Sequence, residues 1–523
     1  MSKQSSQLVP MQDSNGEPSR EIQSVLMRHH SEQAINSSDT DTPCPLIHQF
    51  PVEILARIFF ECLPDPMSVP FDCAQLWNLG RICSRWRSVV CLEMPLTWST
   101  IKISFRSSTA RAARLSRHSA EIMCVCIQRT RDCPLTIAFT CASDVGATAR
   151  DDWLRCLDSL VAVSERWKSI DFFIPITVLS RLLPAKGRLK SLEVLNLSLE
   201  PQNARSLPRA VDIFEDAPKL TRVTMSSHLS LDTFRLPWKQ IIEYRTKLME
   251  VWNCVEVLHH APHLRALHAK LERARGNISG DTASPYSNHL DHKTFSYESL
   301  TSLSINGLMR PGYEHELFLR LLQVSSDSDK ANVTQILFPS LTNFRLATSS
   351  GSLINFAALP LAGSCFGSLL TKVTIRSVFD ALADYSGAKD FLLGLPMVRQ
   401  LTFGVCFHHN RDVVHILYEI LSLPSSSDSG WPLVVLPKLE VLVLDIDYDN
   451  KDLLMPSWVI DPLKKMIRSR RTKDFVRRCV PLQKFHLYLA SWETPRESFA
   501  KGLQDLTEEG FEIRVLRGLF AQV

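Results

Sequence analysis

Long apolar runs are missing from this 523-residue chain. No stretch reaches the roughly 18 apolar residues that a membrane-spanning helix needs, so nothing here is expected to cross a bilayer. The N-terminus is polar and lacks the apolar core of a secretion signal. A strong charge of one sign is missing too. The 59 Lys and Arg against 55 Asp and Glu leave a formal net charge of +4, too little at this length to call for nucleic acid or an acidic membrane surface. The 14 Cys never pair as C-x-x-C, and without a secretion signal they are expected reduced, in the cytoplasm or nucleus. P-loop, G-x-S-x-G and H-E-x-x-H signatures are all lacking, which points away from an enzyme. No cofactor and no metal are expected. Cys124, Cys126, Cys133 and Cys141 are spaced as in no closed zinc site and read as core residues. His259, His260, His263 and His268 cluster, but Pro262 interrupts the helix that an i, i+4 metal pair would use. The basic run of Lys464, Lys465, Arg468, Arg470, Arg471, Lys473, Arg477 and Arg478 reads as a solvated helix face.

What is present is an ordinary globular balance, 45% hydrophobic and 22% charged. Residues 1–44 are rich in Ser, Gln, Asn and Asp and read as a disordered tail, apart from a short candidate helix at Glu21 to His30. Polar loops are expected at Gly276 to His292, Ser325 to Lys330 and Pro424 to Gly430. Between them one pattern recurs: an apolar anchor, a second apolar residue at +3 and a third at +5. Leu192-Glu193-Val194-Leu195-Asn196-Leu197 has it, as do Leu300-Thr301-Ser302-Leu303-Ser304-Ile305 and Leu439-Glu440-Val441-Leu442-Val443-Leu444. Positions +3 and +5 share one face of a strand, because strand side chains alternate. The anchors fall at 167, 192, 220, 264, 300, 341, 370, 398, 439 and 482. This resembles the L-x-x-L-x-L core of a leucine-rich repeat, with gaps more irregular than the usual ~20–29 residues. An unrelated α/β domain with several short buried strands is the alternative.

The densest motif runs from Pro45 to Trp98. Ile54, Leu55, Ile58 and Phe59 form a helical stripe after Pro51, with Glu53 in the first turn and Pro64 as the stop. Leu76, Leu79, Ile82, Cys83, Trp86, Val89 and Val90 form a second stripe, after an insert at Asp65 to Cys73. A turn at Thr97-Trp98 leads into a strand, and a helix from Arg111 to Arg131 precedes another strand at Cys133 to Phe139. The order Phe50-Pro51-x-Glu53-Ile54-Leu55, Ile58-Phe59, Ile82-Cys83-x-x-Trp86-Arg87, Thr97-Trp98 resembles the F-box family, in particular its large basidiomycete fungal sets. Phe50, Ile82 and Thr97 depart from the family's usual Leu, Val and Leu.

The resemblance implies a substrate-recognition adaptor of an SCF-type, cullin-RING ubiquitin ligase, non-catalytic in itself. It implies docking on the Skp adaptor through Phe50, Pro51, Ile54, Leu55, Ile58, Phe59, Leu76, Leu79 and Ile82, with Cys83, Trp86 and Trp98 as core. The expected fold is α/β, a small helical F-box (45–100) followed by an irregular leucine-rich-repeat-like solenoid (101–523). An unidentified client protein would bind the concave strand face at Asn196, Thr224, His268, Ser304, Arg345, Thr374, Thr402 and His486, chosen because they alternate with the buried positions. A scaffold with no part in degradation and an enzyme with a diffuse site are the rival readings.

Overall fold

The L-x-x-L-x-L segments become strands because each anchor is withdrawn into the interior. Leu192, Leu220, Leu264, Leu300, Leu341, Val398, Leu439 and Leu482 are all buried, as are the residues at +3 and +5. In the computed structural model, residues 46–64, 68–70, 74–105, 119–142, 147–200, 211–226, 233–249, 251–271, 295–307, 336–348, 369–377, 385–406, 412–422, 434–447, 457–472, 479–489 and 500–517 are described. The expected tail, the helix at Glu21 to His30 and the three expected loops lie outside them.

The chain divides into two compact units, Met1–Ile58 and Phe59–Val523. The first contains a 3₁₀ turn, Leu46–Gln49, and the start of helix α1 (Val52–Glu61). Pro51 stands just before that helix, and its carbonyl accepts from the N–H groups of Ile54 and Leu55, both at 3.1 Å.

In the second unit, α2 (Ala74–Ile82) leads into the short α3 (Ser84–Ser88). Cys83 caps α3: its Sγ accepts from Trp86 N at 3.4 Å and its carbonyl from Arg87 N at 3.0 Å. Trp98 is wholly buried; its indole N–H donates to Val90 O at 2.9 Å, its ring meets Trp77 edge-on at 5.1 Å, and Arg129 lies over it at 4.4 Å.

Among the described residues there are seventeen strands, numbered in chain order. They are β1 (Val69–Pro70), β2 (Thr100–Phe105), β3 (Leu135–Cys141), β4 (Trp167–Pro175), β5 (Val194–Glu200), β6 (Arg222–Ser226), β7 (Glu243–Met249), β8 (Ala266–Leu271), β9 (Phe295–Ser296), β10 (Ser302–Gly307), β11 (Ile336–Leu337), β12 (Asn343–Thr348), β13 (Lys372–Ser377), β14 (Gln400–Cys406), β15 (Val441–Asp447), β16 (Lys484–Leu489) and β17 (Glu512–Arg517). β9 and β11 pair separately; the other fifteen form one open, all-parallel sheet in which each strand lies beside its predecessor. Parallel neighbours need crossovers, and several are helical: α4 (Ser119–Arg129), α5 (Ala147–Ala162), α6 (Val251–His260), α7 (Tyr385–Leu393), α8 (Asp412–Leu421), α9 (Ser457–Ser469) and α10 (Gln504–Glu508). Of the helix expected at Arg111 to Arg131, the part before Ser119 lies outside the described residues.

This architecture corrects the expected one. The chain does not build a helical module followed by a solenoid of repeats. It builds a single open parallel sheet of α/β type, and that sheet begins inside the segment assigned to the helical module. Val69, within what reads as a mere insert, is fully buried and pairs with Ile101, as Pro70 does with Lys102. A two-residue strand leaves no periodicity to read, so the sequence hides it.

A repeated backbone device sets the register. One carbonyl just before a strand accepts from two successive N–H groups at the start of the next. Arg265 O takes Thr301 N and Ser302 N, Thr301 O takes Thr342 N and Asn343 N, and Thr342 O takes Thr371 N and Lys372 N, all at 2.9–3.0 Å. Threonine hydroxyls reinforce it: Thr301 Oγ1 donates to Arg265 O at 3.1 Å, Thr342 Oγ1 to Thr301 O at 3.0 Å and Thr371 Oγ1 to Thr342 O at 3.2 Å.

Candidate functional site

Two surfaces collect the residues singled out in the sequence. The first is α1. Leu55 and Phe59, one turn apart, are buried, whereas Ile54 and Ile58, also one turn apart, are 47% and 37% exposed, and Phe50 just before the helix is 43% exposed. Pro51 is exposed as well. Phe59 packs its ring 4.6 Å from that of Trp86. Leu55 and Phe59 therefore serve the interior and cannot offer themselves to a partner in this conformation, which narrows the expected docking set. The same holds for Leu76 on α2, fully buried, while Leu79 is half-buried and Ile82 is 58% exposed. Cys83 and Trp86 are half-buried and Trp98 fully buried. The exposed helical apolars are those that periodicity alone would place inside, because a stripe of adjacent pairs cannot say which member faces inward.

The second surface is the sheet face opposite the core. Strand register brings the eight expected client positions into one transverse row. Asn196 pairs with Thr224, His268 with Ser304, Ser304 with Arg345, Arg345 with Thr374 and Thr374 with Thr402. Arg245 bridges Thr224 to His268, and Val443 bridges Thr402 to His486. The row continues through Asp171, Ala138 and Lys102 on one side and Arg514 on the other. The row is not uniformly open: Ser304, Thr402 and Val443 are buried, Asn196, Thr224, His268, Arg345, Thr374 and His486 are half-buried, and Lys102, Asp171, Arg245 and Arg514 are exposed.

Sequence reasoning missed Arg245 because β7 breaks the apolar rule. Its anchor Ile241 and the +3 residue Tyr244 are buried, but the +5 residue is Thr246. The signal was present in Ile241-x-x-Tyr244, with a polar residue in the last slot.

Burial and local charge act together here. Burial, then Arg245 and Arg345, pull the His268 imidazole below its ordinary value, with Glu243 opposing. His486 is pulled down by burial, Arg514 and Lys484 against Glu512. Arg345 is lowered by burial, and its Nε is enclosed with no acceptor. One step along the strands, Arg376 reaches across Gly404 to the fully buried Asp445.

The remaining clusters are structural. Cys126 and Cys141 are buried, and burial pushes Cys141 up to about 12, a thiol held neutral. Cys124 differs from expectation in being exposed. Among the described residues no group of three or more His, Cys, Asp or Glu could hold a metal ion, and no helix is long and apolar enough to cross a membrane. The basic run on α9 is not simply solvated. Lys464 and Arg468 pair with Asp505 at 2.9 and 2.7 Å, Arg468 also with Glu509 at 2.8 Å, and Arg471 lies over the Phe511 ring at 5.4 Å. Arg470 is buried and donates to the carbonyls of Val435 and Leu436, the latter a residue with φ of 50°. Lys473, Arg477 and Arg478 lie outside the described residues. No protein-family model and no curated protein sequence matches this chain.

Proposed function

We propose that this protein is a non-catalytic substrate-recognition adaptor of an SCF-type, cullin-RING ubiquitin ligase. It docks on the Skp adaptor through the open side of α1 and holds a client protein on the polar face of its sheet. The single observation that carries the docking half is the exposed apolar line Phe50, Ile54 and Ile58 within a segment whose residue order resembles the F-box family. Burying one such side chain from full exposure is worth roughly 1.5–3 kcal/mol gross; these three are already partly covered, so they supply one part of what offsets association costs. The client half rests on the polar row from Asn196 to Thr402. In this reading the ligase's other subunits do the chemistry, and the chain raises the client's effective concentration beside them.

A pull-down of the full chain with purified Skp adaptor, beside the double variant Ile54→Asp/Ile58→Asp, tests the reading. Capture by the native chain and loss in the variant, with unchanged thermal unfolding, is the expected result. A folded native chain that captures no adaptor overturns it.

A further inference from the structure

Charge on the polar face of the sheet is lopsided. On β8, β10, β12, β13 and β14 this face carries His268, Lys270, Arg345, Lys372 and Arg376, and its other positions are Ala, Ser, Asn, Thr, Gln, Gly and Cys; no Asp or Glu stands among them. Acidic residues begin only on the flanking strands, and both nearest ones are occupied: Glu243 on β7 accepts from Arg245 at 2.6 Å, and Asp445 on β15 pairs with Arg376. Arg345 is half-buried, no carboxylate pairs with it among the described residues, and its enclosed Nε meets no acceptor. Cations withdrawn from water are normally paired. Lys270 and Lys372 are exposed and Arg376 is paired with Asp445, so Arg345 is the half-buried guanidinium of this strip for which the described residues supply no counter-charge.

The spacing narrows what the counter-charge is. His268 and Arg345 are two strands apart, with Ser304 between, which is roughly 10 Å. Lys372 lies one strand and two residues from Arg345, roughly 8 Å. Cations spread this way suit several separate carboxylates better than one compact phosphate. A peptide in the polyproline II form rises roughly 3.1 Å per residue with about three residues per turn, so acidic side chains three residues apart share one side and match the row.

We propose that the β8–β14 part of the polar face docks an acidic peptide segment of a partner protein, its carboxylates meeting Arg345, Lys372 and His268. This rests on the reading that the polar face receives the client, and not on the Skp-docking reading. The half-buried Thr374 lies beside Arg345 in the same row, its hydroxyl placed to bond the peptide's backbone.

Fluorescence anisotropy with the full chain tests it. The probe is a fluorescein-labelled peptide with Glu at every third position in a Gly/Ser background; its Gln counterpart and a Gly/Ser peptide carrying a single phosphoserine are the comparators. The Glu peptide is expected to bind, the Gln peptide not to, and affinity to fall as salt rises. Arg345→Gln and Lys372→Gln are each expected to weaken binding about 10-fold, whereas Lys102→Gln, on the same face but far along the sheet, leaves it unchanged. Native affinity in both Arg345→Gln and Lys372→Gln, or no binding of the Glu peptide, overturns the proposal. So does a phosphoserine peptide that binds more tightly than the Glu peptide, which would assign the strip to phosphate. Thr374→Trp, which places bulk on the face, separates the two failures. If the Gln peptide binds and Thr374→Trp abolishes it, the face receives peptides and only the acidic preference is wrong. If no peptide's binding responds to Thr374→Trp, the face reading falls as well.

Discussion

The open side of α1 and the polar face of the sheet are built in opposite ways. On α1 the exposed side chains are apolar and one helical turn apart, so a few consecutive residues define the surface. On the sheet each strand contributes one residue to a row, and neighbours in space such as Ser304 and Arg345 are 41 positions apart in sequence. The first surface gains by being dried; the second offers charge and hydroxyls already half withdrawn from water. A helix face can therefore be altered residue by residue with local consequences. A sheet row depends on the register of every strand that feeds it.

The contrast between inward and outward side chains is sharpest on α1 itself. Leu55 and Ile54 are adjacent, apolar and similar in size, yet Leu55 is fully buried and Ile54 is open. Leu55→Asp places a charge in an apolar site and is expected to cost about 4 kcal/mol or more. Ile54→Asp is expected to change stability by less than about 0.5 kcal/mol. Denaturant unfolding of the two variants checks it, and equal losses would mean that α1 has no open side.

On the sheet the strongest test is Gly404. A Cβ there would lie 2.5 Å from Arg376 Cγ, so Gly404→Ala must push Arg376 out of its path to Asp445. Asp445 is fully buried, and breaking a buried ion pair costs about 3–5 kcal/mol. Gly80→Ala is the contrast: nothing lies within 4 Å of a Cβ at that helical position, and the change is expected to stabilise by about 0.5–1 kcal/mol. Opposite signs in thermal unfolding would confirm that one glycine is held by side-chain traffic across the sheet and the other by nothing but helix continuity.

A smaller effect is expected from the register device. Thr342→Val keeps the shape and removes the hydroxyl bond to Thr301 O, at 3.0 Å, for a loss of about 1 kcal/mol by denaturant titration. That bond also shows where legibility ended. The apolar anchors were readable because burial imposes period two on each strand. β7 escaped because Thr246 fills an apolar slot, and β1 because two residues carry no period. The large continuous sheet was illegible for a different reason: patterns within segments do not say how segments join, so a helical module and a separate array are expected where one sheet forms. On α1 the stripe was visible but its inward and outward members were not. Arg470 looked like one more solvated cation, and only its carbonyl partners in the loop before β15 reveal it as interior. The acid-free strip was invisible because it is a property of the row and of no single strand.

The mildest perturbation is pH. In the native state burial, Arg245 and Arg345 hold the His268 imidazole below its ordinary value, and His486 is shifted the same way by burial, Arg514 and Lys484. An unfolded chain lacks these influences, so between the lowered native values and the ordinary one near 6.5 the unfolded state binds more protons. Their contribution is therefore fully present above that ordinary value and is lost as pH falls through the window beneath it. His268→Gln is expected to flatten part of this acid-side loss, measured as the difference in denaturant midpoint between pH 7.5 and pH 5.5 (roughly one unit either side of the ordinary value). An acidic peptide bound beside His268 supplies the missing counter-charge and should raise the imidazole's value, so that binding takes up a proton and tightens as pH falls through the same window. The isolated chain weakens toward acid while its complex strengthens. An NMR titration of the His268 ring with and without the Glu peptide reads both signs directly, and an unmoved imidazole would detach this histidine from the peptide's path.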